Sequence, residues 1–275
     1  VPQSSHPSLA DYDVILVASS AGKDSQAMLD YVAELAAQAG VSDRVTVLHN
    51  DLGRVEWEDT AELAQEQAEH YGFRFEMRHR KIAADGGEER QDLLQQIKAR
   101  HAKLRAKGDT TTPAWPSSQA RYCTSDQKRG PARKLITQLV SELNLDRQAR
   151  VLYCLGLRAQ ESSGRAKKPV LAVDQSASSG VREVTTWHPI LGWTEDQVWA
   201  RIKASGVRYH WAYDKGMKRL SCSFCVLATK EDLVCAARLR PEMAAEYAAL
   251  EAEMGHTFKA DLSMAEIVAE AGVAA

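Results

Sequence analysis

Ser19-Ser20-Ala21-Gly22-Lys23-Asp24-Ser25 lies between two segments of different periodicity. Upstream, Asp13-Val14-Ile15-Leu16-Val17-Ala18 is short, apolar and β-branched, the composition of an interior parallel strand. Downstream, Met28, Leu29, Val32, Leu35 and Ala36 recur at helical spacing. A strand, a small-residue loop and a helix N-terminus together aim backbone N–H groups at an anion. Lys23 adds a full positive charge, so phosphate is the expected guest. The Walker arrangement is excluded, because it needs a glycine five residues before the Gly-Lys pair and Val17 stands there. The plainer reading of the same residues is a Ser/Gly-rich loop that only caps a helix.

The alternation continues outward from this loop. Arg44 to His49 reads as a second strand ending at Asn50-Asp51-Leu52-Gly53, followed by a helix from about Trp57 to Tyr71 and a strand over Phe73 to Met77. This βαβαβ rhythm predicts an α/β fold, a parallel twisted sheet flanked by helices, with ligands at the carboxyl ends of the strands. A charged helix is expected over about Glu88 to Lys107, then a mobile loop to Pro116, a helix near Pro131 to Leu143 and a buried strand over Val151 to Gly156. Ser162 to Gly180 reads as a flexible lid or as disorder, and Val184 to Ile190 as a last strand-like segment. Thr194 is the expected N-cap of the next helix. Helices follow from about Lys230 to Arg240 and from Pro241 to about Met254. The expected division is an N-terminal arm over 1–12, a nucleotide-binding domain over 13–205, and a helical C-terminal appendage over 206–275 packed on it.

The chain has 275 residues and a formal net charge of −2, which argues against a uniformly basic nucleic-acid binder. Positive charge is nonetheless blocked into Arg78 to Lys81, Lys98 to Lys107, Lys128-Arg129 with Arg133-Lys134, and Arg165 with Lys167-Lys168. Such blocks form solvated faces unless a phosphate site gathers them around a polyanion. No apolar run approaches the roughly 20 residues that span a bilayer. The polar opening lacks the apolar core of a secretory signal, so a cytoplasmic protein is expected.

Five cysteines, an odd number, argue against a disulfide framework. Cys222-Ser223-Phe224-Cys225 is a CxxC, and its late position is wrong for a thioredoxin-like redox pair. Cys123, in a polar stretch before a helix, is the obvious distant partner. Cys154 lies in a strand and Cys235 in an apolar helical run, so both read as core. Three ligands, Cys123, Cys222 and Cys225, suit a [4Fe–4S] cluster with an open iron or a non-cysteine fourth ligand, and Cys235 stays open as a fourth. Zinc completed by His210 or His188 is an equal reading of the spacing.

Several stretches resemble one family. The loop Ser19 to Ser25 is similar to the Ser-Gly-Gly-X-Asp-Ser loop of the ATP-pyrophosphatase (PP-loop) superfamily. Gly156-Leu157-Arg158-Ala159-Gln160-Glu161-Ser162, Trp187 to Trp199, Cys123 to Pro131 and the CxxC resemble, in order, segments of the phosphoadenosine-phosphosulfate reductase family. The resemblance implies the adenine nucleotide alpha-hydrolase-like fold, an adenine nucleotide such as ATP with Mg2+, and a [4Fe–4S] cluster rather than zinc. It implies that Ser19, Ser20, Gly22, Lys23, Asp24 and Ser25 hold phosphates, that Asp51 contacts nucleotide or metal, and that Arg158 faces a phosphate or sulfo group. Lys23, Asp24 and Arg158 are the implied catalytic residues.

Two departures bear on the activity. No cysteine follows Cys235 in this sequence, whereas sulfonucleotide reductases of the family carry a nucleophilic cysteine in a C-terminal tail. Adenylylsulfate reductases also carry a doubled cysteine where this chain has Cys123-Thr124. The single Cys-Thr with a CxxC is more similar to the sulfur-transfer enzymes of DNA phosphorothioation. The expected function is ATP-dependent sulfur transfer by way of adenylation and pyrophosphate release. Its expected partners are a sulfur donor protein such as a cysteine desulfurase and DNA or another nucleic acid. A sulfonucleotide reductase and a non-catalytic nucleotide-binding subunit are the alternatives.

Overall fold

The computed structural model describes residues 6–273; the first part of the expected N-terminal arm, residues 1–5, lies outside the described residues. In chain order the elements are β1 (Val14–Ser19), α1 (Lys23–Ala39), β2 (Val45–Asn50), α2 (Thr60–His70), β3 (Arg74–Arg78), β4 (Lys81–Ala84), β5 (Gly87–Arg90), α3 (Leu93–Ala106) and α4 (Tyr122–Thr124). Then come α5 (Gly130–Leu143), β6 (Ala149–Cys154), α6 (Ser163–Ala166), β7 (Leu171–Val173), β8 (Arg182–Trp187), α7 (Glu195–Ser205), α8 (Lys230–Leu239), α9 (Pro241–Met254) and α10 (Met264–Ala271).

These elements form two compact units that interleave in sequence. The first comprises 1–50, 59–78 and 131–210; the second comprises 51–58, 79–130 and 211–275. One unit edge, at His210–Trp211, falls near the expected boundary at 205. The stretch 79–130, expected inside the nucleotide-binding domain, clusters instead with the C-terminal helices. Its apolar residues explain this: Leu93, Leu94, Ile97 and Trp115 share one core with Phe224, Leu233, Tyr247, Leu250 and Ile267.

The first unit carries a six-stranded sheet in the order β3-β2-β1-β6-β8-β7, parallel throughout except for β7. β1 is central and buried on both faces, which is why it reads as an unbroken apolar run. Ile15 and Val17 pack with Met28, Leu29 and Val32 of α1 and Val198 and Ile202 of α7. Val14 and Leu16 pack with Leu135, Ile136 and Leu139 of α5. The chain runs outward from β1 to β3, then returns to place β6 on the other side of β1. The point where strand order reverses therefore lies between β1 and β6, and ligands of such sheets bind beyond the carboxyl ends of the strands there.

Four local expectations are corrected. The charged helix begins at Leu93; Lys81–Arg90 is instead an antiparallel hairpin, because Gly86 and Gly87, both with positive φ, turn the chain. The stretch to Pro116 is anchored rather than mobile. Trp115 is 4% exposed, lies 5.7 Å from the Tyr247 ring and 5.3 Å from the Phe258 ring, and donates Nε1–H to the His256 carbonyl at 3.0 Å. Two aromatic pairs at about 0.5–1.5 kcal/mol each, added to the burial of the indole, offset part of the roughly 1–2 kcal/mol per residue that ordering the backbone costs. The segment 162–180 is ordered too: β7 pairs antiparallel with β8, and the Asp174 carboxylate accepts from Ser176 and Ala177 N–H at 2.9 and 3.2 Å to close the turn. Residues 9–12 of the expected arm are also fixed, with Leu9 and Tyr12 buried.

Candidate functional site

The Ser19–Ser25 loop joins β1 to α1 at the strand reversal, as its periodicity predicts. Its own hydroxyls shape it. Ser19 Oγ accepts from Ala21 N–H at 3.2 Å, Ser25 Oγ accepts from Ser20 N–H at 3.2 Å, and Ser25 Oγ donates to the Gly22 carbonyl at 2.9 Å. Ser20 Oγ lies 3.3 Å from Ser25 Oγ. Ala21 takes the left-handed conformation, φ +54°, and is fully buried. Gly22 is the N-cap of α1, and no side chain caps the helix. The first turn of a helix leaves its N–H groups without intrahelical acceptors, so the positive end of α1 opens at the loop.

Four charged side chains gather there. Lys23 and Arg158 are buried at 3% exposure each. Arg158 Nε donates to Asp24 Oδ1, and Lys23 Nζ stands 3.9 Å from Asp24 Oδ2. Glu195, the first residue of α7, completes the group: its two carboxylate oxygens lie 3.7 Å from Lys23 Nζ and 3.7 Å from Arg158 Nη2. Gln160 fixes the far side, accepting from Arg158 Nη1 at 3.0 Å and from Glu195 N–H at 3.2 Å. Burying two cations is costly unless each is paired, and here both are. Glu195 and Gln160 were not assigned as site residues from the sequence. Thr194 and the acidic turn after it were legible, but as a helix start; their meeting with Lys23 depends on strand order.

Gly156 explains how β6 can come so close. A Cβ there would stand 3.0 Å from the Asp24 carbonyl oxygen and 3.1 Å from Ser25 Cα. Arg158 thus reaches Asp24 because its own loop has no side chain at Gly156.

The second unit holds the cysteines. Cys123 lies on α4, which runs through a π-helical stretch at Ser125–Arg129 into α5; Cys222 and Cys225 lie on the loop before α8. Burial pushes the Cys123 thiol up, and the neighbouring Cys225 adds to it. Burial pushes Cys222 far up, with Cys225 and Cys123 adding and Lys128 opposing. The three cysteines thus pack against one core and lie within electrostatic reach of one another. All are free, and Phe224 and Tyr247 pack beside them in the same core.

Among the described residues, no three His, Cys, Asp or Glu side chains are grouped to hold one metal ion. Three sulfurs on a zinc ion converge to about 2.3 Å from it, whereas each thiolate of a cuboidal cluster takes its own iron and the sulfurs stand wider apart. Three free cysteine thiols are donors that a [4Fe–4S] cluster accepts, and that zinc accepts with a fourth ligand. The histidines considered for zinc are engaged within the first unit: His210 Nε2 lies 3.2 Å from Thr60 Oγ1, and His188 Nδ1 lies 2.7 Å from the Pro169 carbonyl oxygen. Cys235 donates to the Lys215 carbonyl at 3.3 Å and is influenced by Asp232 and Arg238 rather than by the other thiols. Cys154 is fully buried in β6, its thiol pushed up by burial alone.

The CxxC loop is held by Arg240. This guanidinium donates to the Glu56 carbonyl at 2.6 Å, Ser223 Oγ at 2.6 Å and the Arg54 carbonyl at 3.0 Å, while Ser223 N–H donates to the Val55 carbonyl at 2.8 Å. Asp51 belongs to this unit, where Arg90 Nη2 reaches its carboxylate at 2.6 Å and Gly53 N–H donates to it at 2.8 Å. Several of the basic blocks are balanced in place. Arg78 pairs with Glu76 at 2.9 Å, Arg80 with Asp126 at 3.2 Å, Lys98 with Glu246 at 2.9 Å, and Arg165 with Glu161. Among the described residues, no helix is long and apolar enough to cross a membrane.

Comparison with known proteins agrees with this architecture. The family model described as the phosphoadenosine phosphosulfate reductase domain matches residues 14–228. The chain is 32% identical over 119 residues to an "uncharacterized 37.8 kDa protein in gpa 5′ region" of Escherichia phage 186, covering 43% of this chain and 34% of that protein. It is 32% identical over 76 residues to the adenosine 5′-phosphosulfate reductase of Allochromatium vinosum, covering 28% of each. The chain thus matches about a third of the length of these curated relatives. Among solved structures, the phosphoadenylyl-sulfate reductase of Candida auris in its phosphate complex is similar at 18% identity and a TM-score of 0.46, over 79% of this chain and 82% of that one. With that family model matching residues 14–228, most of the sequence, the chain belongs to the phosphoadenosine phosphosulfate reductase family.

Proposed function

We propose that this chain is an ATP-dependent sulfur-inserting enzyme acting on a nucleic acid or nucleotide. The observation that carries this reading is that Cys123, Cys222 and Cys225 pack against one core within electrostatic reach of one another, since a phosphate loop alone would serve any activity of the family. ATP lies with its phosphate chain over Ser19, Ser20, Gly22, Lys23, Asp24 and Ser25. Lys23, Arg158 and the N-terminus of α1 face the phosphates with positive charge, and Mg2+ accompanies them, bound mainly by phosphate oxygens and water. An acceptor oxygen attacks the α-phosphorus, the bond to the bridging oxygen breaks, and pyrophosphate leaves with that oxygen. Positive charge fixed before the reaction lowers the barrier, because it need not reorganise as charge develops. A sulfur nucleophile supplied by a donor such as a cysteine desulfurase then displaces AMP from the activated acceptor.

Cys123, Cys222 and Cys225 would hold a [4Fe–4S] cluster, which when bound offers one iron without a protein thiolate. The positive charge of Lys128 favours the thiolate forms of Cys123 and Cys222, and Arg240 fixes the loop that carries Cys222 and Cys225. The reading requires a reducing compartment such as the cytoplasm.

Two measurements test it. Anaerobically purified protein should contain close to four irons and four sulfides per chain, and Cys123→Ala should lose most of both. With an acceptor present, ATP should yield AMP and pyrophosphate; ADP as product would remove the adenylation step.

Sulfonucleotide reduction is the second reading, favoured by the similarity to an adenosine 5′-phosphosulfate reductase. It needs a nucleophilic thiol outside the trio. Burial raises both Cys154 and Cys235, the opposite of what activates a cysteine. Sulfite released from adenylylsulfate would decide in its favour.

A further inference from the structure

The two buried cations of the loop already hold an anion. Asp24 and Glu195 both lie against Lys23 and Arg158, but the two carboxylates are not equivalent. Asp24 is bonded directly by Arg158, belongs to the first turn of α1, and keeps 17% of its side chain exposed. Glu195 stands 3.7 Å from each cation, within ion-pair range but beyond a hydrogen bond, and its side chain is 51% exposed. Its backbone is pinned, since Thr194 caps α7 through a capping box and Glu195 N–H donates to Gln160. The main chain is therefore fixed while the carboxylate is free to swing outward.

We propose that Glu195 is an internal anion: its carboxylate occupies the place of a phosphate group between Lys23 and Arg158, and a phosphate chain binds by displacing it. This rests on the reading of the loop as a phosphate site and adds a residue that sets its affinity. With Glu195 in place, two cations face two carboxylates and the cluster has no net positive charge. Buried Lys23 and Arg158 are thereby kept from repelling each other while the site is free of ligand. Every anion must first break the same pair of contacts, so weakly bound single anions are held below occupancy while polyphosphates still fill the site.

The test is calorimetric titration of magnesium-free inorganic pyrophosphate into the whole chain at one ionic strength, for wild type, Glu195→Gln and Lys23→Ala. Glu195→Gln should tighten pyrophosphate binding about tenfold, or about 1.4 kcal/mol, and Lys23→Ala should lose most of it. A merely structural role is separated by thermal melting. Glu195→Gln should melt below wild type without ligand, and pyrophosphate should raise its midpoint by more than it raises that of wild type. Binding in Glu195→Gln that is unchanged or weaker, with Lys23→Ala still impaired, overturns the internal anion and leaves the phosphate loop standing. Absence of pyrophosphate binding in both wild type and Glu195→Gln overturns the loop reading, and this inference with it.

Discussion

Gly156→Ala adds one methyl group at the closest approach between β6 and α1. The new Cβ would meet the Asp24 carbonyl oxygen at 3.0 Å, its carbon at 3.1 Å and Ser25 Cα at 3.1 Å. All three atoms are backbone, so no side-chain rotation relieves the contact. α1 cannot retreat easily either, because Ala27, Met28, Leu29 and Val32 are fully buried behind it. Overpacking of this kind costs roughly 1–3 kcal/mol. The stiffer unfolded chain returns about 0.4–1 kcal/mol, since Gly156 needs no positive φ. The net loss spans about 0–2.6 kcal/mol and centres on about 1.3, a fall in melting midpoint of roughly 3–5 °C at that centre. The assay is thermal unfolding followed by circular dichroism, with Gly164→Ala as control because nothing lies within 4 Å of the Cβ it would gain. Pyrophosphate binding should weaken as well in Gly156→Ala, because the displaced atoms carry Asp24 and the first turn of α1. A Gly156→Ala protein melting within about 1 °C of the control would refute the reasoning that backbone proximity fixes this residue.

Gly53→Ala should be worse than Gly156→Ala. Gly53 has φ +79°, and its Cβ would fall 2.4 Å from Cβ of Asp92, the N-cap of α3. The left-handed backbone costs about 1–2 kcal/mol and the disturbed cap about 1 more, and a loss in urea unfolding below about 1 kcal/mol would contradict this. Asp13 gives a pH signature: Arg147 reaches its carboxylate at 2.7 and 2.8 Å and Arg150 N–H at 2.8 Å, which holds its carboxyl below the ordinary range. A carboxyl depressed in the folded state stabilises above its unfolded pKa and loses that stabilisation as pH falls through the folded value. Asp13→Asn should therefore cost about 1 kcal/mol at neutral pH after solvent screening and progressively less as pH falls from the ordinary carboxyl range through the depressed folded value, and a loss independent of pH would be the wrong result.

What the sequence disclosed and what it hid divide along the range of the interactions. Val14 to Val17 and the helical spacing from Met28 to Ala36 are local patterns, so β1, α1 and the loop between them were legible. The CxxC and its distant Cys123 were legible as a chemical set. Of the hairpin at Lys81–Arg90, only Glu88 to Arg90 is assigned an element from the sequence, as the start of the charged helix, because Gly86 and Gly87 are not counted as a turn. Trp115 sat in a stretch of Thr, Pro and Gly that composition assigns to a mobile loop; only Tyr247 and Phe258, far along the chain, order it. Glu195 was hidden for the same reason. Its partners Lys23 and Arg158 come from two other connections, and only the order β1-β6-β8 brings the three together.

Ala21 shows that the loop's shape does not belong to glycine alone. The family pattern has glycine at this place, as expected for a residue with φ near +54°, and alanine in that conformation pays about 1–2 kcal/mol. A surface loop would relax. Here Ala21 N–H is held by Ser19 Oγ, its methyl packs with Leu63 and Ala64 of α2, and the residue is wholly buried. Burial of that methyl recovers up to about 0.8 kcal/mol, and the hydrogen bond supplies a comparable amount. The surroundings thus offset the strain and keep the backbone that glycine would have taken freely. A loop held in this way is organised without a ligand, so an anion bound as proposed would spend no binding energy on ordering it.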